Sequence, residues 1–221
     1  MHLTHHGHAC VGIDGPGGRL VIDPGAFTPG LEGLLERADA VLITHEHFDH
    51  VDVAAVSAAV SERPELAVYA PEGVIGSLGP VERGGALAGG ERIEVAGFAV
   101  DVVGGDHAPI HPEIAVPANL GYLVTGPGGS VFHPGDSYAT PPGHPGTLLV
   151  PVSGPWVSWG RAIDWIRDIA PRESVLIHEA MLSGTGLRSA GMFLGADGPA
   201  HTPLLHLGPE QALDLATGGV G

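Results

Sequence analysis

The sequence predicts an α+β fold in which two β-sheets pack face to face with helices outside them. Three observations point there. Short apolar runs rich in branched residues recur along the chain. Gly and Pro, 36 and 20 of the 221 residues, fall between these runs and do not form one repetitive tract. The few stretches with helical spacing lie between and after two strand-rich halves, so they must cover the sheets from outside. Neither a linker nor a low-complexity segment divides the chain, and its length suits one sizeable core, so residues 1–221 read as a single domain.

Taken in order, Leu3 to Ile13 reads as a strand, Gly15-Pro16-Gly17-Gly18 as a turn and Arg19 to Asp23 as the returning strand of a hairpin. A helix over Leu31 to Ala38 precedes the apolar strand Ala40-Val41-Leu42-Ile43. Val53, Val56, Ala59 and Val60 keep helical spacing within a helix over Asp52 to Ser61, and Pro64 follows its end. Leu66 to Ala70 is the next strand, followed by a loose Gly-rich stretch. Strands are then expected at Glu91 to Val95, Phe98 to Val103, Leu120 to Thr125, Val131 to His133 and Leu148 to Val152. Ala162, Ile163, Ile166 and Ile169 share a helical face, and Val175-Leu176-Ile177 forms a last core strand. A closing strand at Thr202 to Leu207 and a frayed tail complete the expectation.

Composition excludes several classes. The net charge is −16 and all nine basic residues are arginine, so no clustered basic surface offers itself to nucleic acid. Without lysine there is no Schiff-base chemistry. No segment reaches the roughly 20 apolar residues that span a bilayer, so no membrane partner is expected. Met1 to Gly12 lacks the charged start and apolar run of a secretory signal. A single cysteine, Cys10, permits no intrachain disulfide and no all-thiolate metal site. The expected location is cytoplasmic, with a small-molecule substrate and a homo-oligomer left open.

The chemistry centres on Thr44 to His50, THEHFDH, directly behind the Ala40 to Ile43 strand. Two residues of extended chain advance about 6.6 Å and share a face, so His45 and His47 can converge on one ion. Asp49 and His50, where the chain turns, can face a second. Imidazole and carboxylate are donors suited to Zn2+, Mn2+ or Fe2+. Further donors follow later apolar strands: His107, Asp136 in Phe132-His133-Pro134-Gly135-Asp136-Ser137, and His178. One such histidine would mean little, since a lone histidine after a strand is more often structural.

With Gly7-His8-Ala9, Ile22-Asp23-Pro24, Thr44 to His50, His107, the HPGDS segment and His178, the chain resembles the metallo-β-lactamase superfamily of metal-dependent hydrolases over about residues 5 to 180. The likeness is to its small UPF0173 and ascorbate-6-phosphate lactonase-like members. The resemblance implies a four-layer αβ/βα sandwich of two mixed sheets with a dinuclear site along one edge. It implies His45, His47 and His107 on a first metal, Asp49, His50 and His178 on a second, Asp136 bridging both, and Asp23 orienting a ligand from behind. Two ions about 3.5 to 4 Å apart, zinc foremost and manganese or iron also compatible, would share a hydroxide that attacks a small ester, lactone or phosphodiester. Asp49 would align that hydroxide and take its proton.

Departures from other relatives narrow the activity. No cysteine stands at the HPGDS position, which turns the expectation away from antibiotic hydrolysis, and 221 residues with a net charge of −16 leave little room for the inserted domain or basic RNA-grasping arm of the nuclease relatives. A mononuclear iron dioxygenase of the persulfide type retains the same THxHxDH pattern and is the alternative from another reaction class. A non-catalytic metal-binding relative is a third reading, disfavoured by the full donor set.

Other residues carry looser expectations. His8 and His133 are read as neighbours of the ligands, and His2, His5 and His6 as strand-surface residues. His111 and His144 are read as exposed in Pro-rich loops. Trp156, Trp159 and Arg161 form the substrate-pocket expectation, with aromatic faces for a planar or apolar group and a guanidinium for an anionic one. The bland alternative for both tryptophans is packing under the following helix.

Overall fold

The computed structural model describes residues 1–208 and 211–221. Two seven-stranded mixed sheets face each other. The first contains β1 (His2–Gly7), β2 (Cys10–Gly15), β3 (Gly18–Ile22), β4 (Ala40–Leu42), β5 (Ala67–Ala70) and β6 (Gly84–Ala86), with helices α1 (Leu31–Glu36), α2 (Val53–Glu62) and α3 (Glu72–Leu78) between its strands. The second contains β7 (Arg92–Val95), β8 (Phe98–Val103), β9 (Gly121–Gly126), β10 (Gly129–His133), β11 (Thr147–Pro151), β12 (Glu173–Ile177) and β13 (Leu204–Leu205), with α4 (Trp159–Ile169) and α5 (Gly184–Leu194). β14 (Ala212–Asp214) returns to the first sheet beside β1. In each sheet an antiparallel run gives way to a parallel one, at β3–β4 in the first and β10–β11 in the second.

Period-two alternation distributes the strands between layers. Leu20 and Ile22 face the core between the sheets, while Val21 between them faces α1 and α2. Leu149 points inward, and its neighbours Leu148 and Val150 point to α4 and α5. Three apolar layers therefore hold four layers of secondary structure, the sandwich expected from the sequence. Each fully buried Leu, Val or Phe contributes about 1.5–3 kcal/mol relative to exposure.

The structure corrects the local expectations in several places. The Leu3 to Ile13 strand is two strands, because Gly7 at φ 106° and His8 at φ 51° turn the chain into a hairpin. The Gly-rich stretch after β5 contains α3 and β6, whose weak side-chain signals are compensated by Val74 and Leu78 packing on the sheet. The closing strand shrinks to Leu204–Leu205, and part of the expected frayed tail pairs with β1. α5, with three glycines in eleven residues, lacks a sequence signature. It starts at a Ser183 cap that accepts from the Gly186 amide, and it buries Ala190 and Leu194. No helix among the described residues is long and apolar enough to cross a membrane.

Candidate metal centre

The ends of β3, β4, β8, β10 and β12 and the β1–β2 turn deliver the polar residues to one edge of the sandwich. The loop after β4 is fixed from both sheets. Tyr122 on β9 donates its hydroxyl to the Ile43 carbonyl at 2.7 Å, and the Leu120 amide donates to the Thr44 carbonyl at 2.9 Å. From below, Gly25 lies so close to the Asp49 backbone that a Cβ there would stand 2.0 Å from its carbonyl oxygen. Gly135 is similarly confined: at φ 61°, a Cβ would lie 2.2 Å from Asn119 Oδ1. Asn119 meanwhile accepts the Asp136 amide at 3.0 Å and donates to the Pro134 carbonyl at 2.8 Å, which sets the HPGDS turn.

Two groups of donor atoms result, each with all its atoms within 4.8 Å of one another. One holds His45, His47, His107 and Asp136, the other His8, Asp49, His50 and His178. Asp136 reaches both. Its Oδ2 lies 3.2 Å from His107 Nε2, and its Oδ1 lies 3.0 Å from His50 Nε2 and 3.3 Å from His178 Nε2. Asp49 Oδ2 is 3.1 Å from His8 Nε2 and 3.5 Å from His178 Nε2.

Behind these donors sits Asp23, fully buried at the end of β3. It accepts from His50 Nδ1 at 2.6 Å, from the Thr44 amide at 2.7 Å and from the Thr44 hydroxyl at 2.8 Å. Having donated its proton to Asp23, Thr44 Oγ1 accepts from His45 Nδ1 at 2.9 Å. His107 Nδ1 donates to the Ala108 carbonyl at 2.6 Å. All three rings thereby turn Nε2 into the site, that of His45 lying 3.0 Å from His47 Nδ1 and those of His50 and His107 beside Asp136. His8, Asp23 and His178 share left-handed backbone at φ 51°, 54° and 62°. Such conformations are uncommon for residues with a Cβ and gather where surroundings over-determine the backbone.

The electrostatics fit divalent cations. Burial opposes charge on Asp136, yet the His50, His107 and His178 rings hold its carboxyl well below the usual range. Asp49 is lowered too, with burial outweighed by its contacts to His178 and His8. Burial likewise opposes charge on His178, but the contacts to Asp136 and Asp49 push it up to about 9. His50 is raised despite its burial by Asp136 and Asp23, whereas burial, seconded by His50, keeps His45 low. Two buried carboxylates thus draw positive charge onto the rings between them, where a metal would displace the protons. His50 Nε2, Asp136 Oδ1 and both His178 nitrogens are four of the six buried side-chain atoms without a hydrogen-bond partner among the described residues. Close donors that do not satisfy one another are what a metal-ligand set requires.

The remaining sequence expectations fall as follows. His133 spends both ring nitrogens on backbone, Nε2 donating to the Ala9 carbonyl at 2.8 Å and Nδ1 accepting the Gly135 amide at 3.1 Å. Trp156 is buried, and its indole N–H donates to Asp136 Oδ2 at 2.7 Å. Trp159, the first residue of α4, donates to the Val152 carbonyl and faces the Phe193 ring on α5. Trp159 also lines a groove of about 620 Å³ with Val152, Gly154, Pro155, Met181 and Leu182. Arg161 lies over the Tyr138 ring at 4.7 Å, and Tyr138 meets Trp156 edge to face. His5 corrects its surface expectation: it is buried, with Nε2 donating to the His8 carbonyl at 2.9 Å. Thr44, Asn119 and Glu179 were missed as supports. Glu179, next to His178, accepts the His8 amide at 3.1 Å. Only adjacency to a proposed ligand could have marked Thr44 and Glu179, and nothing local marks Asn119.

Comparison with known proteins agrees with this architecture. The Beta-lactamase superfamily domain matches residues 2–178. Protein Rv0786c of Mycobacterium tuberculosis is 38% identical over 188 residues, covering 83% of this chain and 86% of that protein. UPF0173 protein PYRAB01190 of Pyrococcus abyssi is 30% identical over 193 residues, covering 83% and 86%. Other UPF0173 relatives carry the name metal-dependent hydrolase. Among solved structures, the metallo-beta-lactamase fold protein YhfI from Bacillus subtilis superposes with a TM-score of 0.71 at 14% identity, over 100% of this chain and 98% of that one, a likeness of fold. The chain belongs to the beta-lactamase superfamily, in its UPF0173 family.

Proposed function

We propose that this protein is a dinuclear metal-dependent hydrolase, acting as one catalytic domain on a small ester, lactone or phosphodiester. The observation that carries the proposal is Asp136, with one carboxylate oxygen toward each of two donor groups. His45, His47 and His107 would hold one ion, Asp49, His50 and His178 the other, and Asp136 both. Zinc leads on the His/Asp donor set, and manganese or iron suit it as well. Bound there, two cations supply water activation at neutral pH and charge stabilisation at the scissile carbonyl or phosphoryl group.

The chain's own residues do the rest. Asp49, its side chain 18% exposed, is the more accessible of the two site carboxylates. Its contacts to His8 and His178 fall on Oδ2, which leaves Oδ1 to accept a proton from the attacking water. Trp156 restrains Asp136 by its N–H and shields it from solvent. The groove along Val152 to Trp159 begins at Gly154, where a Cβ would lie 3.4 Å from His178 Cε1, and its apolar wall suits the non-reacting arm of a substrate. Arg161 stands nearby for an anionic group.

Elemental analysis of purified protein tests this, followed by assays on chromogenic phosphodiesters, lactones and thioesters with each metal restored. Two ions per chain with hydrolysis that Asp49→Ala and His107→Ala abolish is the expected result. Full turnover in metal-stripped protein overturns it. A single iron with thiol-dependent oxygen uptake replaces it with the dioxygenase alternative, which a second complete donor group makes the weaker reading.

A further inference from the structure

Given the hydrolase reading above, we propose that His8, although its ring stands among the second group of donors, is not a metal ligand but the positioning residue that orients Asp49 by an Nε2–H donor. A neutral imidazole has one proton, so one nitrogen donates and the other accepts. A metal takes the nitrogen that carries no proton. In His45, His50 and His107, Nδ1 faces an oxygen outside the two donor groups and donates to it, which leaves Nε2 as the nitrogen turned toward the other donors. His8 has the opposite arrangement. Its Nδ1 accepts the Ala180 backbone N–H at 3.3 Å, and an amide N–H can only donate. The ring proton therefore sits on Nε2, 3.1 Å from Asp49 Oδ2, where it donates to the carboxylate. To ligate through Nε2, His8 would have to surrender the Ala180 bond or become an imidazolate.

The surrounding structure maintains this state. The His8 amide donates to Glu179 Oε1 at 3.1 Å, and its carbonyl accepts from the His178 amide at 2.7 Å and from His5 Nε2 at 2.9 Å. Together these contacts pin a hairpin residue at φ 51° against the end of β12. The ring packs 3.8 Å from His178 and meets Phe27 edge-on at 5.1 Å, and a flipped ring would lose both nitrogen bonds. The Asp49 side chain is partly exposed, and the buried His8 tethers it through Oδ2.

The test uses Zn2+-loaded, desalted protein, with metal counted by mass spectrometry and turnover of bis(p-nitrophenyl) phosphate measured alongside. His8→Ala is expected to retain the wild-type number of Zn2+ ions with affinity within about threefold, while kcat falls roughly 10–100-fold at unchanged KM. His8→Gln, whose amide N–H can extend toward Asp49, restores most of kcat. Long-range 1H–15N spectra of the wild type should find the His8 proton on Nε2 both before and after Zn2+ loading, a result independent of whether the variants fold. Loss of one Zn2+ per chain in His8→Ala, an unprotonated His8 Nε2 in the loaded protein, or wild-type kcat in His8→Ala would each overturn the assignment. Failure of the wild type to bind Zn2+ or to hydrolyse any substrate counts against the hydrolase reading instead, and the His8 spectrum still decides this one.

Discussion

Asp23 and His50, 27 positions apart, meet at 2.6 Å between fully buried side chains, and the same carboxylate fixes Thr44. One aspartate at the end of β3 thus sets the orientation of the loop after β4. Asp23→Asn keeps the shape but brings an amide N–H against groups that already donate. Metal affinity is expected to fall roughly 10–100-fold, measured by competition with a chromophoric chelator. A value within error of the wild type would detach Asp23 from the metal centre.

Trp156→Phe removes one N–H and keeps most of the packing. Asp136 Oδ2 then loses its 2.7 Å donor, and the carboxylate gains freedom to turn. Zinc affinity is expected to drop by about 10-fold, with the folded far-UV spectrum retained. Unchanged affinity would reduce Trp156 to a packing residue.

Gly25→Ala places a Cβ 2.0 Å from the Asp49 carbonyl oxygen, and neither backbone can yield without moving the ligand loop. Destabilisation of about 1–3 kcal/mol is expected, with metal binding weakened in parallel. Gly76→Ala is the control: it lies within α3 with open space around it, and a gain of up to about 1 kcal/mol is expected from helix propensity. Thermal unfolding of both variants checks the contrast.

His6, half-buried and near Arg19, is lowered by burial first from 6.5 to about 4. Between those values the unfolded chain binds the proton and the folded chain does not, so stability rises with pH across the window. Its contribution is complete above about 6.5 and is lost as pH falls toward about 4. His6→Gln should flatten the pH dependence of urea midpoints in metal-free protein over that window. A slope equal to that of the wild type would contradict it.

Much of the strand order was legible because alternating apolar residues leave a local signature; Phe98 to Val103 appears with the predicted bounds. α3, α5 and β14 were not, since glycine-containing or short segments borrow their stability from contacts such as Leu78 on the first sheet and the register of β14 with β1. The hairpin at Gly7-His8 escaped for the same reason: its positive φ values are imposed by the His178 amide and Glu179, distant in the chain. His5 shares a face of β1 with the buried Leu3, so the strand's alternation carries it inward, and there its ring bonds the His8 carbonyl.

By itself the sequence determined the chemistry available: imidazoles and carboxylates placed directly after apolar strands, an acidic chain without lysine, and a single cysteine. These are properties of residue type and short spacing. Tertiary structure alone decided which nitrogen of each ring turns to the site, that Asn119 sets the HPGDS turn, and that Trp156 spends its N–H on Asp136. The reason is physical: a histidine's usable lone pair depends on what its other nitrogen meets, and those partners, Asp23, Thr44, Ala108 and Ala180, are brought to the rings only by the fold.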